Sequence, residues 1–148
     1  MNVTPYEIAQ RFVGTEEMPG HNMNTPMIMA WLTLDQAWPT DDEVPWCAGF
    51  IGWCHWLAER PRTRSLRARS WLTIGTHWAI EGAQEGDVVI FNRAGAPHDP
   101  TLIDAPGHVA FFVRHDGTQV YVLGGNQSNT VKVSHYPKKD VLGVRRIS

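Results

Sequence analysis

The feature that most constrains the fold is a single change of period along the chain. Up to about Ile74 the apolar residues recur at helical spacing. From Gly86 onward they come in short runs broken by turn residues. Helices first and strands later argue for an α+β domain with an antiparallel sheet, because consecutive strands with short connections pair as hairpins. At 148 residues the chain is read as one domain, long enough for a real core, and neither a repeat nor a low-complexity tract divides it.

The helical half carries its own punctuation. Thr4-Pro5-Tyr6-Glu7 is a capping box, and Gly14 stops the helix that follows. Thr25-Pro26 starts a second helix through about Gln36, and Pro39 to Glu43 forms an acidic loop. A third helix is expected from Pro45 to about Glu59, with Phe50, Trp53, Cys54 and Leu57 on one stripe. A short fourth helix is expected from about Leu66 to Ile74, after a run of five arginines between Arg60 and Arg69 that reads as a solvated face.

In the second half, Asp87 to Phe91 is a buried strand, with Asp87 capping the turn before it. Asn92 to Gly107 is a Pro/Gly/Asp-rich loop. His108 to Arg114 and Gln119 to Leu123 are strands joined at Asp116-Gly117, a strong hairpin signal. Val131 to Val133 and Val141 to Ile147 complete the sheet.

Cys47 draws attention because of its position. A cysteine in the first turn of a helix faces free backbone N–H groups and the positive end of the helix dipole. Both favour thiolate, the nucleophilic form. The hairpin supplies partners. With a three-residue loop, His115 pairs with Gln119 and His108 falls opposite Asn126. A two-residue loop sets His108 opposite Gly125 unless Gly124-Gly125 forms a bulge. Either register makes His108 and Asn126 neighbours. Cysteine, histidine and asparagine in this order form a set able to activate a thiol, hold its base and orient that base. Asn126 also suits a turn position in the left-handed region. Cys54, on an apolar helix face, reads as a core residue. The two cysteines would lie about 10 Å apart on one helix, beyond the roughly 7 Å limit for a disulfide.

Five segments now stand in order: Pro45-Trp46-Cys47-Ala48-Gly49-Phe50, Ala68-Arg69-Ser70-Trp71, Gly86 to Phe91, Gly107-His108-Val109, and Leu123-Gly124-Gly125-Asn126-Gln127. Together they resemble the NlpC/P60 and CHAP superfamily of cysteine peptidases, and more closely its small single-domain branch in bacteriophage endolysins and prophage proteins. The resemblance covers roughly residues 10 to 146. It implies a papain-like NlpC/P60 fold, with the N-terminal helices packed on a small antiparallel sheet. It also implies hydrolysis of amide bonds in cell-wall peptidoglycan, with residues 1–148 as a single catalytic domain. Carried over by position, Cys47 matches the nucleophile, His108 the general base and Asn126 the residue orienting the histidine. Trp46, Trp71 and Gln127 are expected near the substrate. Trp46 stands where family members often have Asp, and Gly124 where CHAP members often have Glu.

The remaining expectations concern setting and partners. A net charge of −2 gives no reason to expect nucleic acid. No apolar run approaches the ~20 residues of a membrane span, so stable membrane insertion is not expected. The N-terminus lacks the basic and apolar regions of a signal peptide. Synthesis in a bacterial host cytoplasm, followed by release to act on the cell wall in the periplasm, is therefore expected of a monomer whose partner is peptidoglycan. No cofactor and no metal are expected. Cys47, Cys54, His55 and the other histidines lack a Cys-x-x-Cys or His-Glu-x-x-His spacing, which argues against a zinc protein. A bacterial effector or wall-remodelling hydrolase shares the same chemistry. A non-catalytic wall-binding module would be expected to lack Cys47 or His108.

Overall fold

The computed structural model describes residues 2–17, 25–39 and 45–148. Most of the acidic loop (residues 40–44), and His21 in the loop before the second helix, lie outside the described residues. The protein is α+β: the described residues form three α-helices, short 3-10 helices and a six-stranded antiparallel sheet. Helix α1 (Pro5–Gln10) starts as its sequence dictates, with the Glu7 N–H donating to Thr4 Oγ1 at 3.1 Å. Helix α2 (Pro26–Thr33) has Thr25 at its N-cap position, with the Thr25 hydroxyl donating to the Glu16 carbonyl rather than capping the helix, and ends three residues before Gln36. Helix α3 spans Cys47–Leu57, with Trp46 as its N-cap. Pro45 thus precedes the cap rather than opening the helix, and Cys47 takes the first helical position. Among the described residues no helix is long and apolar enough to cross a membrane.

The sheet contains β1 (Thr76–Trp78), β2 (Val88–Asn92), β3 (Gly107–His115), β4 (Gln119–Gln127), β5 (Thr130–Pro137) and β6 (Val141–Arg146), in the order β1-β6-β2-β3-β4-β5. Its strands alternate between two apolar layers. Val88, Ile90, Val109, Phe111 and Leu123 pack with the helices, while Val89, Phe91, Ala110, Phe112, Val120, Val122 and Val144 form a second cluster. The expected fourth helix is a 3-10 helix, Ala68–Thr73, buried beneath β2, β3 and β6.

Two of the sequence expectations about packing are corrected. The buried stripe of α3 runs through Cys47, Phe50, Ile51, Cys54 and His55, and Leu57 is exposed. His55 takes the inner position because its ring lies against Phe111 and Trp71, at centroid distances of 5.8 and 4.8 Å. Its Nδ1 sits 2.8 Å from the Ile51 carbonyl, so Nδ1 carries the proton and donates. The arginine run is also not a free basic face. Arg62 and Arg64 pair with Asp35, Arg67 pairs with Asp104, and Arg69 is fully buried.

Beside its turn the β3–β4 hairpin adopts neither expected register, but beyond a bulge it returns to the one that sets His108 opposite Asn126. His115 pairs with Val120 and Arg114 with Tyr121; the register then shifts, and Phe112 pairs with Val122. The Asp116 carboxylate accepts from the N–H groups of both Thr118 and Gln119, at 2.9 and 2.8 Å. The Gln119 N–H therefore goes to the turn and not to His115. The bulge at Val113 recovers one residue, and extending the new offset along the strands sets His108 opposite Asn126.

A second bulge then decides which side chain reaches the histidine. Gly124 pairs with Lys132 and Gln127 with Thr130, so two residues of β4, Gly125 and Asn126, oppose one of β5. Asn126 sits at φ 56°, in the left-handed region, where its short polar side chain is tolerated. Ser128 and Asn129, at φ 52° and 61°, make the two-residue turn that follows. Gly125 is required: a Cβ there would lie 2.6 Å from the Trp46 ring and 3.0 Å from Phe50 Cβ.

Candidate functional site

The site forms where the start of α3 meets the first residues of β3 and the bulged end of β4. The first intrahelical bond of α3 runs from the Phe50 N–H to the Trp46 carbonyl. The N–H groups of Cys47, Ala48 and Gly49 therefore have no partner within the helix. Cys47 is buried, with its neighbours in the core, and also lines a cleft of about 520 Å³ with Arg67, Arg93, Asp104, Gly107 and Asn126 among its walls.

His108 is 2% exposed, its ring against Tyr136 at 5.2 Å and Phe91 at 6.4 Å. Its hydrogen bonds fix its tautomer. Gln127 Nε2 donates to the Lys132 carbonyl at 2.6 Å, which turns the Gln127 Oε1 toward the histidine. His108 Nε2 lies 2.9 Å from that oxygen and so must carry a proton to donate. Nδ1 is left with its lone pair. It is buried and, among the described residues, has no partner at full hydrogen-bond geometry, while the His108 side chain makes a looser hydrogen-bonding contact with the Cys47 thiol. This geometry suits proton transfer from Sγ to Nδ1.

Electrostatics agree with that direction. Burial pushes the Cys47 thiol up, but the hydrogen bond and charge of His108, the Val109 N–H and the Arg93 charge together bring it below its ordinary value of 9.0. Cys54 has burial without such compensation and is pushed well above 9.0. Both cysteines are free. Two thiols on one helix are thus separated chemically by position alone.

The expected orienting residue is corrected. The partner of His108 is Gln127, because the Gly125-Asn126 bulge shifts the alternation of β4 by one residue. Asn126 lines the cleft beside Cys47 instead. Gln127 itself, expected near substrate, is 2% exposed and spans from His108 to β5. Trp46 and Trp71, also expected there, are fully buried. The Trp46 indole N–H donates to Glu17 Oε1 at 2.6 Å, and its ring packs on Trp31 and over Gly125, which anchors the start of α3. Trp71 lies under α3 against His55. Asp87, read as a cap, accepts from the Gln84 N–H at 2.8 Å and pairs with Arg146.

Arg69 does not line the cleft but holds the loop whose residues Asp104, Ala105 and Pro106 form one of its walls. Its guanidinium donates to the carbonyls of Pro97, Asp99, Leu102 and Pro106 and to Asn92 Oδ1. All five of its N–H donors are used, so one buried side chain fastens the loop between β2 and β3. Three contributors escaped the sequence reading. Arg69 looked like one more surface arginine. Arg93 lay in an unstructured loop. Tyr136 lay beyond Val133, where the strand was expected to end, although β5 continues to Pro137.

Among the described residues no group of three or more His, Cys, Asp or Glu side chains is gathered to hold a metal ion. No protein-family model matches the chain, and no curated protein matches it.

Proposed function

We propose that the protein is a cysteine hydrolase that cleaves amide bonds of cell-wall peptidoglycan, as an endolysin-like enzyme of the NlpC/P60 and CHAP kind. The observation that carries this reading is the Cys47–His108–Gln127 chain. A helix-start thiol below its ordinary pKa faces the free lone pair of a histidine whose other nitrogen is tied to a fixed amide oxygen. The substrate class rests on the ordered motifs around Cys47, His108 and Gly124-Gly125-Asn126.

In the mechanism, His108 Nδ1 takes the Cys47 proton, and the thiolate attacks the amide carbonyl carbon. The negative charge developing on the carbonyl oxygen is met by the N–H of Cys47 at the helix start, a donor of a kind worth about 3 kcal/mol. His108 returns the proton to the leaving amine as the C–N bond breaks. Water, deprotonated by His108, then hydrolyses the thioester and frees the thiol. Gln127 holds the ring in the tautomer this requires and adds no charge.

Mass spectrometry of purified peptidoglycan after incubation tests this reading. New fragments with freshly exposed amino groups are expected from the wild type and none from Cys47→Ala. Unchanged peptidoglycan from a folded wild-type protein, or equal cleavage by Cys47→Ala, would refute it.

A further inference from the structure

The cleft beside Cys47 has charged walls, and its charges are not equivalent. Arg67 is an exposed cation neutralised by its ion pair with Asp104. Arg93 is exposed as well, but its Nε is anchored, donating to the Gly107 carbonyl at 3.1 Å. That carbonyl belongs to the residue before His108, so the guanidinium is held at the mouth of the site. Among the described residues Arg93 forms no ion pair. It is near enough to act electrostatically on both the Cys47 thiol and the Tyr136 hydroxyl. The remaining guanidinium donors form a fork suited to a planar carboxylate.

We propose that Arg93 is a specificity residue that binds a free carboxylate carried by the substrate close to the scissile amide. The preferred substrate is then an acidic peptide, cut at an amide whose neighbouring carboxylate is unmodified. This deepens the hydrolase reading and rests on it for the word substrate, although the cationic subsite stands on geometry alone.

The test separates the two. Cys47 is alkylated with iodoacetate, which carries a carboxylate, and with neutral iodoacetamide of similar size. Both form the same S–C bond as C–I breaks and iodide leaves. The ratio of the two rates reads the cation beside the thiol whether or not any wall peptide is cut. Arg93→Gln is expected to lower this ratio about fivefold, a reasonable size for one charge in a partly solvated cleft. Arg93→Lys is expected to keep most of it, and the paired variant Arg67→Gln/Asp104→Asn, which removes both charges of a neutral pair, to leave it unchanged. An unchanged ratio in Arg93→Gln, or an equal drop in the paired variant, would overturn the assignment. In parallel, wall peptides with that carboxylate free or amidated are compared. Wild type is expected to show a lower KM for the free acid, and Arg93→Gln to erase the difference. Equal KM values in wild type would also overturn it.

Discussion

At the scale of single residues, Gln127 and Asn126 separate by one bulge. Regular alternation from the hairpin turn assigns the histidine to Asn126, and the backbone at φ 56° moves that role to its neighbour. Gln127→Ala is accordingly expected to lower kcat about 10²-fold with little change in KM, within the range for general-base catalysis. Asn126→Ala is expected to act on KM instead. Steady-state kinetics on one substrate compares them, and a larger kcat loss in Asn126→Ala would reverse the assignment. His55 offers a second test, through stability. Burial lowers its pKa from 6.5 to about 4. The unfolded chain therefore binds more protons than the native protein between those values. Stability from this group is fully present above pH 6.5 and is lost as the pH falls toward about 4. The loss at pH 5 is about 2 kcal/mol. Urea denaturation at pH 7 and pH 5 should show a difference of this size in excess of that in His55→Gln.

At the scale of elements, the sequence was most legible where local chemistry decides the structure. The Thr4 cap, the Asp116 turn and the buried run of β2 all rest on residues adjacent in the chain. It was least legible where distant groups decide. Nothing near Arg69 in sequence signals that four carbonyls and an amide some 23 to 37 residues later will close around it. Nothing near Val133 signals that β5 continues to cover His108 with Tyr136. The loop wall gives an element-scale prediction. Arg69→Met leaves buried carbonyls without donors and is expected to cost about 3 kcal/mol or more. Limited proteolysis should then cut between residues 93 and 106 first. If that loop stayed as resistant as in wild type, Arg69 would not be what holds it.

At the scale of the molecule, the single change of period pointed to the α+β class and the hairpin made His108 and Asn126 neighbours, while the pairing of Cys47 with His108 came from their order in the chain and the family resemblance. The pairing beside the turn and the third residue were not accessible, because bulges in β3 and β4 depend on how Asp116 closes the turn and how Gly125 passes Trp46. The two aromatic residues expected at the substrate instead support α3 from within the core. The site is therefore small: a thiol, an imidazole and an amide in a buried line, opening to a charged cleft.

The proposed mechanism requires that His108 hold Cys47 as a thiolate. The most direct test is the pH dependence of iodoacetamide alkylation at Cys47 in wild type and in His108→Ala, with peptide mapping to separate it from Cys54. The wild-type profile should contain an inflection clearly below 9.0. In His108→Ala the hydrogen bond and charge of the histidine are gone while the burial remains, so that inflection should move up to 9.0 or beyond. Two profiles that coincide would contradict the account.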